Sequence, residues 1–405
     1  MDTVLEPNSF RLSSERLQRL GDHLRNRVDQ KEVAGAVMLV ARRGVIGYFE
    51  SFGFRDREAG VPMGCDAIFR LASITKPLTS LAAMMLVEQG DLRLDMPVSE
   101  YLPQLKSLKV GMVRPDGSLT LAPARREALI LDLLRHTSGF TYGHTGISPV
   151  KRAYQESGIG AFAGSASDYL AKVAELPLEY EPGTTWAYSI STDVLGHVVE
   201  AISGVALEQF IATHITEPLG ITDTAFWVDE TRRGRIAEPQ IDPQTRTRPP
   251  MPDVTQRFAR NRGGGGMVST AGDYGRFCQF LLNGGTLDGV RLVSRKTVEL
   301  MTADHLPPVT AFDPECKALL GAILPSPELG AGFGLGFAVR THVGRAPRHG
   351  SVGTYEWGGA SGCIFFVDPQ EQLYAVLLMQ AGVAGNPWMR NMLVARALVY
   401  QAIAD

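Results

Sequence analysis

Two segments of the sequence place a serine three residues before a lysine: Ser73-Ile-Thr-Lys76 and Ser148-Pro-Val-Lys151. At the start of a helix that spacing stacks hydroxyl and amine on one face. The orphan N–H groups of the first turn then lie near any anion that develops there. A serine hydroxyl is a weak nucleophile and needs an adjacent base. A lysine buried beside it has its pKa lowered, because burial disfavours the charged form. Only the first copy leads into a long apolar, helix-prone run, Leu78 to Glu88, with Gly90 where a helix would end. The second has proline directly after its serine and no such run, so it reads as chance. Spacing alone leaves Ser73 equally readable as an ordinary N-cap followed by a surface lysine.

Two further segments carry chemistry. Trp186-Ala-Tyr188-Ser189-Ile190-Ser191 follows Glu181-Pro-Gly183, which places Tyr188 on a loop before a helix. A phenol has a reference pKa of about 10, and a nearby ammonium lowers it toward the range of a useful base. Glu356-Trp357-Gly358-Gly359-Ala360 precedes two carboxy-terminal strands. Paired glycines let a substrate approach the backbone closely, and the next N–H can serve an oxyanion. Singly, Tyr188 and Trp357 read as ordinary core or surface aromatics.

Other chemistries lack their motifs. The sequence has no H-E-x-x-H, no G-x-x-x-x-G-K-[ST] and no G-x-S-x-G. Gly158-Ile-Gly160-Ala-Phe-Ala163 resembles a dinucleotide fingerprint only loosely, and with no strand before it the segment reads as a loop. His136 and His144 could pair on a metal, but without a third ligand nearby helix-end hydrogen bonding is the preferred reading. No metal and no organic cofactor is expected.

Taken together, Ser73-Ile-Thr-Lys76, Tyr188-Ser189 and Trp357-Gly358-Gly359 resemble the serine β-lactamase-like family, closest to its family VIII carboxylesterases. Supporting matches are Leu134-Arg-His-Thr-Ser-Gly139, Glu217-Pro-Leu-Gly220, Gly263-Gly-Gly-Gly-Met-Val-Ser-Thr270 and Gly332-Phe-Gly-Leu-Gly336, in the family's order along nearly the whole chain. The resemblance implies an α/β (α+β) fold: an antiparallel sheet flanked by helices, plus a mostly helical second domain, with the site between them. It also implies a serine carboxylesterase for short-acyl esters. Ser73 would attack while Tyr188, its pKa lowered by Lys76, takes the proton, with Lys76 available to share that role. The N–H groups of Ser73 and Ala360 would form the oxyanion hole, and Trp357, Gly358 and Gly359 would line the substrate site. Two departures bear on the substrate. Trp357-Gly358-Gly359 stands where β-lactamases carry Lys-Thr-Gly, and Ile190 where class C enzymes have asparagine. Both remove polar groups, so a neutral ester fits better than an anionic lactam. A β-lactamase or D-amino peptidase, a biosynthetic acyltransferase and a non-catalytic binding protein on the same fold are the alternatives.

The elements that must position these residues are legible at both ends of the chain. Leu17, Leu20, Leu24 and Val28 have helical spacing after Ser13-Ser14-Glu15. Gly35–Ala41 and Val45–Phe49 flank a glycine-containing turn, as Cys363–Val367 and Leu373–Met379 flank Asp368-Pro369. A last helix covers about residues 389 to 404. These predict one sheet built from the two chain ends, with residues 1–85 and 260–405 as the α/β domain and 86–259 as the mostly helical one. Helices are expected near 129–134, 166–176 and 192–202. The stretch 229–262 holds eight arginines and reads as a solvated surface loop.

Composition sets the outer limits. The 405 residues are 44% hydrophobic and carry 40 basic against 43 acidic side chains, a net charge of −3. That suits a large packed core and argues against nucleic acid as the main partner. Cys65, Cys278, Cys316 and Cys363 lie far apart, as packed, reduced thiols would. Met1 to Pro7 lacks the features of an export signal, and no apolar run reaches the roughly 18–20 residues of a membrane span. The expectation is a cytoplasmic enzyme acting on a small-molecule ester, with no membrane partner.

Overall fold

The computed structural model describes residues 11–114, 116–162, 164–381 and 388–405. The segment read for an export signal and Ala163 of the Gly158 loop lie outside them. Eight strands form one antiparallel sheet: β1 (Gly35–Arg42), β2 (Val45–Asp56), β3 (Val61–Pro62), β4 (Ala331–Phe333), β5 (Ala338–Arg340), β6 (Tyr355–Gly358), β7 (Ile364–Asp368) and β8 (Leu373–Met379). Their order is β4-β5-β6-β7-β8-β1-β2-β3. The two chain ends meet where β1 pairs with β8, from Ala36 opposite Met379 to Arg42 opposite Leu373. Arg43 and Gly44, both at positive φ, close the β1–β2 turn with the twist that antiparallel strands favour.

The pleat sorts side chains between two cores. Along β1, Val37, Leu39 and Ala41 join the larger core, while Ala36, Met38 and Val40 join the smaller. In β8, Tyr374, Val376 and Leu378 alternate in the same way with Leu373, Ala375 and Leu377. The smaller core is closed by α1 (Ser14–Asp29), through Leu17, Leu20, Leu24 and Val28, and by helix Trp388–Tyr400, through Ala395 and Val399. The larger is closed by helix Ala271–Leu282 and by α2 (Lys76–Gln89). Every residue of α2 from Lys76 to Leu86 is buried, as befits a helix that is apolar nearly all round. Gly90, at φ 89°, ends it.

Between β3 and β4 lie α3 (Ile130–Leu134), α5 (Ala166–Glu175) and α6 (Ser191–Ser203), close to the expected positions, and α4 (Pro149–Glu156), which was not expected. A small hairpin, Lys109–Val113 with Leu119–Pro123, was not legible. Met112, Val113 and Leu121 are exposed, so it has no clean apolar face to show in sequence. Much of the arginine-rich stretch is surface as expected: Arg235 pairs with Asp223 and Asp66, and Arg248 with Asp56 and Glu58. Arg260 departs from that expectation, being only 3% exposed. Cys278, Cys316 and Cys363 are buried, and burial raises their thiols, Cys316 to about 12 and Cys363 to about 11. Among the described residues no single helix is long and apolar enough to cross a membrane.

Candidate active site

The turn that presents Ser73 is built by close backbone packing. Phe69–Arg70 pairs antiparallel with Val268–Ser269. Ala72 then takes a left-handed conformation, φ 48°, and a 3-10 turn, Ala72–Thr75, runs directly into α2. A non-glycine residue there stores of order 1–3 kcal/mol of strain and needs surrounding structure to hold it. Gly359 is part of that support. A Cβ on Gly359 would stand 2.2 Å from the Leu71 carbonyl oxygen, so the strand end rests on the backbone two residues before Ser73. This corrects the expectation that Gly359 leaves room for substrate: the room is filled by Leu71. Next to it, Ala360 is exposed and its N–H makes no hydrogen bond among the described residues.

Neither Ser73 nor Thr75 caps the helix through its side chain, and Lys76 is 1% exposed, so the N-cap reading fails for Ser73. It describes Ser148 instead. Ser148 Oγ accepts from Lys151 N at 3.0 Å and donates to Glu179 at 2.8 Å. Lys151 Nζ lies 2.7 Å from both Asp313 and Glu315. The second Ser-x-x-Lys is thus an N-cap beside a buried ion pair.

Lys76 Nζ lies 3.4 Å from Ser73 Oγ, 2.7 Å from the Gly264 carbonyl and 3.2 Å from Tyr142 Oη. Burial lowers its pKa to about 7, with Asp193 opposing the shift and Arg262 adding to it. A neutral amine has two N–H groups and one lone pair. Here the carbonyl and the phenol can take the two hydrogens, leaving the lone pair for the serine. The Gly264 carbonyl is placed in turn by Asp193, 2% exposed on the first turn of α6, whose Oδ1 accepts from Gly264 N at 3.2 Å. A Cβ on Gly264 would stand 2.6 Å from the other Asp193 oxygen, which is why glycine is needed there.

Tyr188 sits on the short loop between Thr185–Trp186 and α6, as expected. Its ionisation does not follow expectation. Burial pushes the phenol above its ordinary value, against hydrogen bonds with Ser73 and Trp357 that pull it down. The Lys76 amine stands over the face of the Tyr188 ring, 4.5 Å from its centroid, but burial dominates the phenol's ionisation. Trp357 Nε1 donates to Tyr188 Oη at 3.2 Å, which commits the indole N–H of a residue expected to line the substrate site. Below the phenol, the Leu134–Gly139 motif locks to the tyrosine loop. His136 Nδ1 lies 3.2 Å from Ser189 Oγ, and Ser191 Oγ lies 2.7 Å from both Ser189 and Ser138. His136 is held neutral by burial and by Lys76, while the His144 ring packs on Tyr142 with centroids 4.9 Å apart. Among the described residues neither ring makes the helix-end hydrogen bond expected of it.

Of the residues singled out in the sequence, the structure brings Ser73, Lys76, Tyr188 and Trp357 together. Sequence reasoning missed Tyr142, Asp193 and Gly264. The glycine run at 263–266 was visible, but nothing local marks its second carbonyl as an amine acceptor. Asp193 reads as an ordinary acidic residue in a first helical turn.

A serine and a buried, near-neutral lysine on one helix, faced by a tyrosine, define a serine acyl hydrolase site. The chain matches the Beta-lactamase family model over residues 20–398 and belongs to that family. Esterase EstB of Burkholderia gladioli is 32% identical over 401 residues, 94% of this chain and 95% of that one. Among solved structures, EstCE1, described as a hydrolase with promiscuous acyltransferase activity, matches at TM-score 0.76 and 27% identity, over 95% of this chain and 98% of its own. Simvastatin synthase LovD from Aspergillus terreus matches at TM-score 0.79 and 25% identity, over 96% and 98%. Family and relatives together make this chain a serine hydrolase on a family VIII esterase-like β-lactamase fold.

Proposed function

We propose that the protein is a carboxylesterase that cleaves short-acyl esters through an acyl-enzyme on Ser73. The observation that carries this reading is the Lys76 amine, buried, depressed to about 7 and 3.4 Å from Ser73 Oγ. Near neutral pH much of it is unprotonated and able to act as general base. Lys76 takes the hydroxyl proton as Ser73 attacks the carbonyl carbon. The oxyanion is met by the N–H groups of Ser73 and Ala360. As the C–O bond breaks, the Tyr188 phenol gives its proton to the departing alkoxide. The phenolate left behind keeps the Trp357 N–H as donor and regains a proton from the Lys76 ammonium by way of a water molecule that enters once the alcohol has left. Water, activated by the same amine, then releases the acid.

The short-acyl preference is supported by the aromatic crowding at the site, where Tyr142, Tyr188, Phe333 and Trp357 pack edge to face or tilted. The ester preference over lactams is supported by Trp357 in place of a strand lysine. A second reading, acyl transfer to another alcohol, uses every step up to the acyl-enzyme and is favoured by the description of EstCE1. Hydrolysis of para-nitrophenyl butyrate tests the proposal. Ser73→Ala should abolish it, whereas loss through Ser148→Ala with Ser73 dispensable would overturn it.

A further inference from the structure

Beside Lys76 the wall of the site holds more positive charge than it can neutralise. Arg262 immediately precedes the glycine run whose Gly264 carbonyl holds the Lys76 amine. Its guanidinium stacks over Phe162 at 4.6 Å and stands 3.7 Å from Asp193, too far for a hydrogen bond. It donates no hydrogen bond to any described residue, yet its charge acts on Lys76, Tyr142 and His144. Two residues earlier, Arg260 is 3% exposed and lies over the Tyr169 ring at 4.0 Å. It has no carboxylate partner among the described residues. One nitrogen, Nη2, donates to the Ala161 carbonyl at 2.8 Å; Nε and Nη1 are buried without a partner among the described residues, as is Tyr169 Oη. The nearest acids are occupied. Asp193 accepts from the Gly264 N–H, and Glu200 is taken by His197 and by the Leu207 N–H.

A buried guanidinium with orphan N–H groups is costly unless a second anion arrives to take them. Three basic side chains, Lys76, Arg260 and Arg262, have Asp193 as their common carboxylate, with Glu200 acting on Arg260 from farther off, and two of them lie on the segment that touches the catalytic amine. We propose that Arg262 and Arg260 form a subsite for an anionic group of the substrate, so that the natural ester carries a carboxylate on its acyl or its alcohol side. The charge that the family's lysine would supply from the sheet is supplied here from the segment that carries Gly264, whose carbonyl holds the Lys76 amine. The inference rests on the carboxylesterase reading and narrows its substrate class.

Paired substrates test it. On the acyl side, para-nitrophenyl hexanoate is compared with the mono-para-nitrophenyl ester of adipate. On the alcohol side, phenyl acetate is compared with para-acetoxybenzoate. The wild type should prefer the charged member of at least one pair in kcat/KM by about tenfold or more, as expected for a desolvated, charge-assisted hydrogen bond. Which pair responds tells which side of the ester carries the charge. Arg262→Gln and Arg260→Gln should each cut that ratio by about ten- to a hundredfold, and Arg262→Lys should restore part of it. Both members of a pair are opened by the same Ser73 and Lys76, so changes in folding or in the base cancel in the ratio. If both pairs are cleaved without charge preference, or if neither arginine substitution moves the ratio, the subsite is refuted while the esterase stands. If no ester is cleaved at all, the carboxylesterase reading itself fails, and the subsite with it.

Discussion

The indole N–H of Trp357 donates to the phenol oxygen of Tyr188 across 3.2 Å. Strand β6 therefore reaches the proton relay through a side chain, where β-lactamases would present a cation from the same strand position. The bond strengthens if the phenol becomes a phenolate, because a charged acceptor binds a donor more tightly than a neutral one. Trp357→Phe keeps an aromatic ring beside Tyr188 and Phe333 and removes the donor together with part of the ring area. It should lower kcat by about two- to tenfold, the range of one ordinary hydrogen bond, with little change in KM. An unchanged kcat would make Trp357 a packing residue.

The pH profile should separate the two candidate bases. Lys76, depressed to about 7 by burial, is a base only after losing its proton, so kcat/KM for a neutral ester should rise with pH and level off above about 7. Asp193 favours the charged amine, so Asp193→Asn should move that limb to lower pH. Lys76→Arg, which cannot deprotonate, should lose roughly two to four orders of magnitude. A limb that rises only in the alkaline range would return the role to Tyr188, whose phenol burial holds high.

Gly359→Ala tests how the nucleophile turn is held. The added methyl would meet the Leu71 carbonyl at 2.2 Å, and backbone cannot swing aside as a side chain can. Overpacking of this kind costs about 1–3 kcal/mol, and the displacement falls on Ala72 and Ser73. Turnover should drop by at least about tenfold in protein that remains folded by circular dichroism. Wild-type turnover would show that the turn is held by other contacts.

Ser148→Ala should separate stability from catalysis. Loss of the cap on α4 costs about 0.5–2 kcal/mol, read as a lower denaturation midpoint, while ester turnover persists. A stability-neutral variant would contradict the capping role.

What the sequence disclosed, it disclosed through local pattern. The β1–β2 and β7–β8 runs, the spacing of Leu17 to Val28 and the Gly90 stop are signals contained within a few turns of chain, and each element formed where expected. Ser73 and Lys76 were legible for the same reason, being neighbours on one helix. Long-range contacts were not legible. Asp193 is 71 residues from Gly264, and Tyr142 is 66 from Lys76. Their roles appear only when α2, α6 and the glycine run are packed together. The ionisation of Tyr188 was misjudged because the sequence suggests the neighbouring amine but not how deeply the phenol is buried, and burial sets the direction of the shift.

The central claim is that Ser73 is acylated with Lys76 as its base. Intact-mass analysis after rapid quenching of the enzyme with a slowly deacylating ester, followed by peptide mapping, tests it most directly. The expected result is one acyl group per chain, on the peptide containing Ser73 and absent from Ser73→Ala, formed faster as pH rises through about 7. An adduct on another residue, or steady ester turnover with no covalent species on Ser73, would contradict it.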